Sequence, residues 1–148
     1  MFEIGDRGNE IKMVFHTTIN FSTKVDSIVR IDPMMQEIIT QEEISSGIIT
    51  AFVPGSTGAL TTIEYESGLI EDLPKTLHNL VPKNKDYKHN KLNYDDNAHS
   101  HIKAAIIGPS ISIPFVNKRM LLGTWQQVVF LELDTHPRTR RIEIMLTS

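Results

Sequence analysis

Residues 95–101, Asp-Asp-Asn-Ala-His-Ser-His, bring two carboxylates, an amide and two imidazoles into seven positions. Histidine and aspartate can bind zinc without cysteine, and they are also common general acids and bases. An apolar run follows, so Asn97 is expected to cap a helix. On a helix, His99 and His101 lie about 200° apart and cannot share one metal through regular geometry, whereas on a strand or loop they share a face.

His89, in the preceding polar segment, could complete a metal site. Together with His101 and a carboxylate from Asp95 or Asp96 it forms a nitrogen and oxygen cluster suited to zinc or another divalent ion. The structural alternative is that Asp95, Asp96 and Asn97 compete for the helix N-cap while the histidines are partly exposed. Spacing alone favours this alternative, and no HExxH motif is present.

A second polar segment, Gly55-Ser56-Thr57-Gly58, lies between two predicted strands. Its backbone N–H groups and the hydroxyls of Ser56 and Thr57 could hold a phosphate or another anion. It is not a Walker A loop, because the lysine is missing and no long helix follows. A tight β-turn is the structural alternative.

Three further polar features have both a chemical and a structural explanation. Glu64 lies on an otherwise apolar strand, so it needs a metal, a cation or a substrate amine as partner if it faces inward, and none if it faces solvent. Trp125 beside Gln126 could stack on a heteroaromatic ligand, or could belong to the core. Arg140 lies in the arginine cluster 138–141, which suits either an oxyanion clamp or an exposed hairpin.

The composition describes an ordinary globular protein. The chain has 148 residues, 40% hydrophobic and 22% charged, with a formal net charge of −3, and is expected to form one domain over residues 1–148. This charge gives no attraction to nucleic acid or anionic membranes, and no apolar run approaches a membrane span. The polar N-terminus is unlike a signal peptide, and cysteine is absent. We therefore expect a cytoplasmic protein without disulfides.

Alternating and β-branched segments predict an α+β fold that is compact, mainly antiparallel and β-sandwich-like, with a few short helices. The predicted strands cover residues 11–23, 26–31, 47–54, 59–66, 110–116, 119–134 and 138–147.

Three helices are expected between these strands. The first begins with Asp32 as N-cap and Pro33 at the first position, and Gly47 marks its end. The second starts at Gly68 and is expected to break at Pro74. The third covers residues 98–107 and stops at Gly108 in the left-handed conformation. Residues 82–97 are expected to form a long loop.

Several of these segments, in their order and spacing, resemble the YjbQ-like family of small uncharacterised proteins. They are GSTGALTTIEYE, YKHN, DDNAHSHIKAAIIGPSISIPF, LLGTWQQVVFLELD and RTRRIEI. The resemblance covers about two thirds of the chain, from Gly47 onward. It implies a compact α+β homotrimer and secondary thiamine-phosphate synthase activity, which joins a pyrimidine diphosphate to a thiazole phosphate and releases pyrophosphate.

The resemblance also implies a site. Its catalytic residues would be Glu64, His101 and Asp96, with His89 and His101 as metal ligands. Ligand contacts would come from Ser56, Thr57, Asn97, Trp125, Gln126 and Arg140. Release of pyrophosphate usually needs Mg²⁺, and the histidines suit Zn²⁺. Many relatives have His-Thr-Thr where this chain has Gly55-Ser56-Thr57, which argues against a catalytic role for that loop.

Two functions are therefore open. One is a small-molecule enzyme or ligand-binding protein with a phosphorylated or heteroaromatic ligand. The other is a non-catalytic trimeric module that binds a metal or metabolite. In both, His101 and His89 are expected to meet in a pocket near Glu64, with Asn97 capping the helix and His99 pointing elsewhere.

Overall fold

Residues 13–148 are described by a computed structural model. They contain the strands β1 (Val14–Ser22), β2 (Ile28–Arg30), β3 (Gly47–Phe52), β4 (Gly58–Ile63), β5 (Ser110–Val116), β6 (Arg119–Met120), β7 (Gln127–Glu132) and β8 (Thr139–Thr147). Four helices accompany them: α1 (Asp32–Gln41), α2 (Ser67–Leu80), α3 (Lys88–Asn93) and α4 (Ala98–Ile107). The predicted strand residues 11 and 12 lie outside the described residues.

The strands form two antiparallel sheets. A five-stranded sheet has the order β1-β8-β3-β5-β6, and a three-stranded sheet has the order β2-β7-β4. Every strand pair in both sheets is antiparallel. The predicted α+β class with mainly antiparallel sheets is confirmed. Among the described residues, no helix is long and apolar enough to cross a membrane.

The three-stranded sheet is buried on both faces, which explains its nearly continuous apolar sequence. On β7, Val128 and Phe130 face the larger sheet and join the main core. Val129 and Leu131 face the other way and pack with Leu77 of α2 and neighbouring residues of α4. Helices α2 and α4 therefore form a third layer over the smaller sheet, and α4 brings its histidines to one end of β4.

Two predicted helix features are wrong. Ile31, not Asp32, occupies the N-cap of α1; Asp32 instead accepts hydrogen bonds from Arg30 Nε and Nη2, both at 2.8 Å. This ion pair is also why the pKa of Arg30 is raised. Helix α2 continues through Pro74, because Leu77 on the next turn is buried and tertiary packing outweighs one lost backbone hydrogen bond.

Two segments differ from their predicted lengths. The expected loop 82–97 contains α3, which ends at Tyr94 in the left-handed conformation with φ of 51°. The expected strand 119–134 is interrupted by a turn before β7. Neither the polar helix α3 nor the turn before β7 has an apolar periodicity from which it could be predicted. Both are formed by local hydrogen bonds.

Gly47 and Gly108 have different roles from those predicted. Helix α1 ends at Gln41, and Gly47 begins β3, where a Cβ would lie 2.0 Å from the carbonyl oxygen of Thr147. Glycine therefore allows the close approach of β3 to β8. Gly108 does end α4, but its φ of 106° and ψ of 155° lie in the region that only glycine adopts readily, outside the left-handed helical region.

Candidate functional site

A cleft opens between the loop that precedes β4 and one face of α4. Its volume is about 170 Å³, and it is lined by Gly55, Ser56, Gly58, His101, Ala104, Ala105 and Pro109. Glycines and alanines dominate the lining, so the backbone is accessible. An apolar cavity of about 150 Å³ can hold a benzene ring, so this cleft has room for one small ring or one phosphate group.

His101 provides the titratable group of this cleft. Its Nδ1 lies 3.1 Å from the carbonyl oxygen of Ser56. Because a carbonyl can only accept, Nδ1 must carry the proton, and in the neutral ring Nε2 keeps its lone pair. The loop thus fixes the tautomer of His101 and leaves Nε2 able to accept a proton or a hydrogen bond from a ligand.

His89 packs against His101, as the sequence predicted. The two rings meet edge to face, with centroids 4.8 Å apart. His89 Nε2 lies 3.1 Å from Asn97 Oδ1, and His89 Nδ1 lies 3.2 Å from Asn93 Nδ2. With an amide donor at Nδ1, the proton of the neutral ring is on Nε2, so both ring nitrogens are satisfied.

The helix cap at this site differs from the prediction. Asn97 does occupy the N-cap position of α4, but its side chain makes no cap hydrogen bond and serves His89 instead. Asn90 of α3 accepts from the backbone N–H of Ala98 with its Oδ1, at 3.0 Å. Asn90 and Asn93 are thus site residues that the sequence reasoning missed, although both lie within or beside the YKHN segment that it singled out.

A buried ion pair packs against the loop 54–58. Arg140 donates to both carboxylate oxygens of Glu132, whose side chain is completely buried, and its Nη2 also donates to Thr57 Oγ1 at 3.0 Å. Arg140 Nη1 lies 3.4 Å from the position that a Cβ on Gly55 would occupy. Arg140 and Thr57, predicted as ligand contacts, are therefore occupied within the protein, and Nη1 faces the loop backbone.

Asp134 extends this network and was not predicted. It accepts from Thr57 Oγ1 at 3.1 Å and from Arg138 Nε at 2.7 Å. Burial alone would raise the pKa of Asp134, but the hydrogen bonds from Arg138, the Thr135 backbone and Thr57 outweigh it and lower the pKa. The sequence could have indicated this network, because a carboxylate at the end of an apolar strand needs buried hydrogen-bond partners.

Asp96 lies beside the cleft without lining it. Its Oδ2 lies 2.9 Å from Lys83 Nζ, and its Oδ1 accepts from Thr135 Oγ1 at 3.1 Å. The hydrogen bond from Lys83 is the main reason that the pKa of Asp96 is lowered. This exposed carboxylate links α4 to the loop after β7.

Glu64, Trp125 and Gln126 lie at the opposite end of β4. Gly58 pairs with Glu132 at the cleft end, whereas Ile63 pairs with Gln127 at the other end. At about 3.3 Å per residue the two ends of this strand are about 17 Å apart.

The prediction that Glu64 lies near His101 in the folded chain is therefore wrong. Because the strand is extended, Glu64, eight residues after Ser56, cannot fold back toward the cleft. Trp125 is 69% exposed instead of stacked at the cleft, and Gln126 accepts from the Gly123 backbone N–H in a turn.

His99 points away from His101, as predicted, but it is buried. It is 4% exposed, and its Nδ1 has no hydrogen-bond partner among the described residues. Burial, followed by the positive charges of Lys103 and Lys83, lowers the pKa of His99. The sequence did not distinguish this buried face of α4 from an exposed one, because His99 and Lys103 are polar residues on an inward-facing stripe.

The expected divalent metal stays a prediction. Both nitrogens of His89 are engaged by asparagines. Within residues 13–148 no group of three or more His, Asp or Glu side chains is placed to hold a metal ion. His101 Nε2 is the nitrogen of this pair that remains open to a ligand.

The chain is similar to proteins from several archaea. A UPF0047 protein of Archaeoglobus fulgidus is 43% identical over 100 residues, which cover 68% of this chain and 77% of the relative. A UPF0047 protein of Methanothermobacter thermautotrophicus is 38% identical over 121 residues, covering 82% of each chain.

Solved structures show the same architecture. The crystal structure of a YbjQ-like protein of unknown function from Sulfolobus solfataricus superposes with a TM-score of 0.88 at 30% identity, covering 93% of this chain and 99% of that one. A hypothetical protein from Aeropyrum pernix superposes with a TM-score of 0.77 at 31% identity, covering 89% and 98%. The sequence model of the family described as UPF0047 protein YjbQ-like matches residues 17–148. The chain therefore belongs to the YjbQ-like UPF0047 family.

Proposed function

We propose that this protein binds a small phosphorylated or heteroaromatic ligand in the cleft between the loop 54–58 and α4, and transfers a group on it. The observation that carries the proposal is the fixed tautomer of His101. Because the Ser56 carbonyl holds the proton on Nδ1, Nε2 is ready to accept a proton from a ligand or, once protonated, to donate to a phosphate oxygen.

The walls of the cleft support a ligand of this size and polarity. The Ser56 side chain is exposed at the lining, and Gly55, also exposed, lets a ligand approach the backbone, whereas the space beside Gly58 is filled by the Phe130 ring. The Arg140 guanidinium lies under Gly55 and adds a positive charge near the loop, although Glu132 balances most of it. The resemblance to the family makes thiamine-phosphate synthesis the specific reaction to test.

The assay is formation of thiamine phosphate and release of pyrophosphate from the pyrimidine diphosphate and thiazole phosphate. We expect wild-type protein to form product and His101→Ala to form it about a hundredfold more slowly, the lower end of the range for a lost acid–base group. His16→Ala is the matched control, since His16 lies on β1 and pairs with Glu143. Equal rates for wild type and His101→Ala would refute catalysis at this cleft.

Calorimetric binding of the same two precursors separates the catalytic function from its alternative. A non-catalytic module would bind a precursor in a His101-dependent way without turnover. Loss of both binding and turnover in the control His16→Ala would mean that the assay reports folding instead of the site.

We also propose that the protein assembles as a homotrimer, which the family resemblance implies. The outer face of the five-stranded sheet carries exposed apolar side chains: Ile48 is 46% exposed, and Phe52 and Met145 are each 43% exposed. They lie on the adjacent strands β3 and β8. Apolar surface of this kind is typical of an interface, and a symmetric contact between copies would cover it.

A further inference from the structure

Helix α4 carries a second polar group on the side opposite His101. Lys103 is 2% exposed, and its amine has no hydrogen-bonded carboxylate among the described residues. Buried lysines are rare unless they are paired, because removing an ammonium group from water without a partner is costly. The cleft described above does not use this side chain, so its burial needs a separate explanation.

Lys103 lines a cavity between α2, α4 and the smaller sheet. Half of its lining residues are apolar, namely Ile28, Pro74, Leu77, Leu131 and Leu133, and Glu132, which pairs with Arg140, also lines it. The enclosed part holds about 10 Å³, which is room for about one water molecule, and the cavity opens toward solvent. Only a small group can therefore reach the amine from outside.

A histidine and an aspartate lie at the rim of the same cavity. His78 Nε2 lies 3.0 Å from Asp26 Oδ1, and both side chains are more than two-fifths exposed. Asp26 has a φ of 59°, an uncommon conformation for a residue with a side chain, and Ser27 fixes the turn by its bonds to Lys24. An amine nucleophile, an imidazole and an orienting carboxylate thus surround one opening.

We propose that this cavity is a second reactive site, in which Lys103 forms an imine with a small unbranched aldehyde while His78, oriented by Asp26, transfers the protons. A lysine amine desolvated among apolar side chains is a nucleophile suited to imine formation, and the His78–Asp26 pair lines the same cavity. Burial also lowers the pKa of Lys103, against the opposing charge of Asp26, which favours the nucleophilic neutral amine.

The reaction balances without a redox partner. Lys103 Nζ forms a bond to the carbonyl carbon, and the carbonyl oxygen takes a proton from His78. The nitrogen releases one of its two protons to His78, the hydroxyl group leaves as water with that proton as the C=N bond forms, and the iminium nitrogen then releases its second proton to His78. One amine and one aldehyde therefore give one imine and one water. The enclosed volume has room for the carbonyl group alone, so the rest of an unbranched chain would lie in the opening toward solvent.

Reductive trapping tests the proposal on the full chain. Propionaldehyde with cyanoborohydride reduces any imine to a stable secondary amine, which peptide mass spectrometry assigns to a lysine. We expect Lys103 to be labelled faster than the exposed Lys75 of α2 in the same molecule. Pivalaldehyde, which is branched next to the carbonyl, should label Lys75 and not Lys103.

Two variants show whether the surrounding groups act on the amine. His78→Gln can still donate to Asp26, so it keeps the local structure, and should slow labelling of Lys103 by about a hundredfold, the lower end of acid–base catalysis, while leaving Lys75 unchanged. Lys75→Met, the matched control for Lys103→Met, should leave labelling at Lys103 intact. Labelling of Lys103 no faster than Lys75, or unchanged in His78→Gln, would overturn the proposal.

Discussion

The rings of His89 and His101 meet edge to face, with an interplanar angle of 62° and centroids 4.8 Å apart. Asn97 and Asn93 hold His89 on its two nitrogens, so His89 is a fixed surface against which His101 packs. The Ser56 carbonyl holds His101 from the other side. The position of the His101 ring is therefore set by His89 and its asparagine partners, which do not line the cleft, and by the carbonyl of Ser56, which does.

Asn97→Ala should weaken ligand binding at the cleft. It removes the acceptor of His89 Nε2, a hydrogen bond worth about 1 kcal/mol, and frees the ring on which His101 rests. Asn97→Asp keeps an acceptor and should restore affinity. Calorimetric titration of the three proteins with thiazole phosphate measures this. Equal affinity of wild type and Asn97→Ala would show that His89 does not position His101.

Glu132→Gln should strongly destabilise the protein. It leaves Arg140, whose side chain is 11% exposed, with Asp134 Oδ2 at 3.8 Å as its remaining carboxylate, and breaking a buried pair typically costs about 3–5 kcal/mol. The double variant Glu132→Leu Arg140→Met should recover part of this loss, since it leaves no uncompensated charge. Urea unfolding followed by circular dichroism gives both free energies. A double variant less stable than Glu132→Gln would contradict this account.

Gly108→Ala should lower stability by about 1–3 kcal/mol through backbone conformation alone, because a φ of 106° is accessible mainly to glycine. No heavy atom lies within 4 Å of the added Cβ, so steric overlap adds nothing. Gly55→Ala is the control: its backbone needs no positive φ, and its Cβ meets Arg140 Nη1 at 3.4 Å. Thermal unfolding of both variants gives their melting temperatures. A lower melting temperature for Gly55→Ala than for Gly108→Ala would reject the explanation.

His99 should make stability depend on pH just below neutrality. Its pKa in the folded protein is lowered by burial and by Lys103 and Lys83, so the unfolded chain binds the proton more readily. The contribution of neutral His99 to folding stability is complete above the unfolded pKa of about 6.5 and is lost as the pH falls below that value. Urea midpoints at several pH values should fall less steeply for His99→Gln. Parallel profiles for the two proteins would exclude His99 as the source.

Light scattering should report a mass close to three times the 16.8 kDa of one chain. Ile48→Lys places a charge on the exposed apolar face of the five-stranded sheet and should shift the protein toward the monomer. Leu92→Lys is the control, since Leu92 of α3 is 77% exposed and away from that face. A wild-type monomer at micromolar concentration would refute the trimer.

The sequence predicted the fold best where apolar periodicity was strong. Aliphatic residues stand at every second position from Ile142 to Leu146 in β8, and residues 47–54 are a short, mostly apolar run that contains β3. The signals failed where a long-range contact decided the outcome. The approach of β3 to the Thr147 carbonyl, and the packing that carries α2 through Pro74, depend on residues far apart in the chain.

The candidate site was also predicted only in part, because long-range contacts do not show in the sequence. His89 and His101 were paired correctly because the short α3 and the start of α4 are close in sequence. Glu64 was misplaced because it was grouped with His101 on the family resemblance, although an extended strand over residues 59–66 already carries it away from Ser56. Asp134 was missed because its partners Thr57 and Arg138 come from two different loops.

The Glu132–Arg140 pair also has a dynamic consequence. It joins β7 of one sheet to β8 of the other, and Thr23 at the end of β1 donates to the same carboxylate at 2.7 Å. Since Arg140 also donates to Thr57, the loop beside the cleft cannot open without breaking its hydrogen bonds to the residues that join the two sheets. Amide hydrogens at this end of β4 should therefore exchange with solvent almost only through global unfolding, and a ligand would meet a wall that is already rigid.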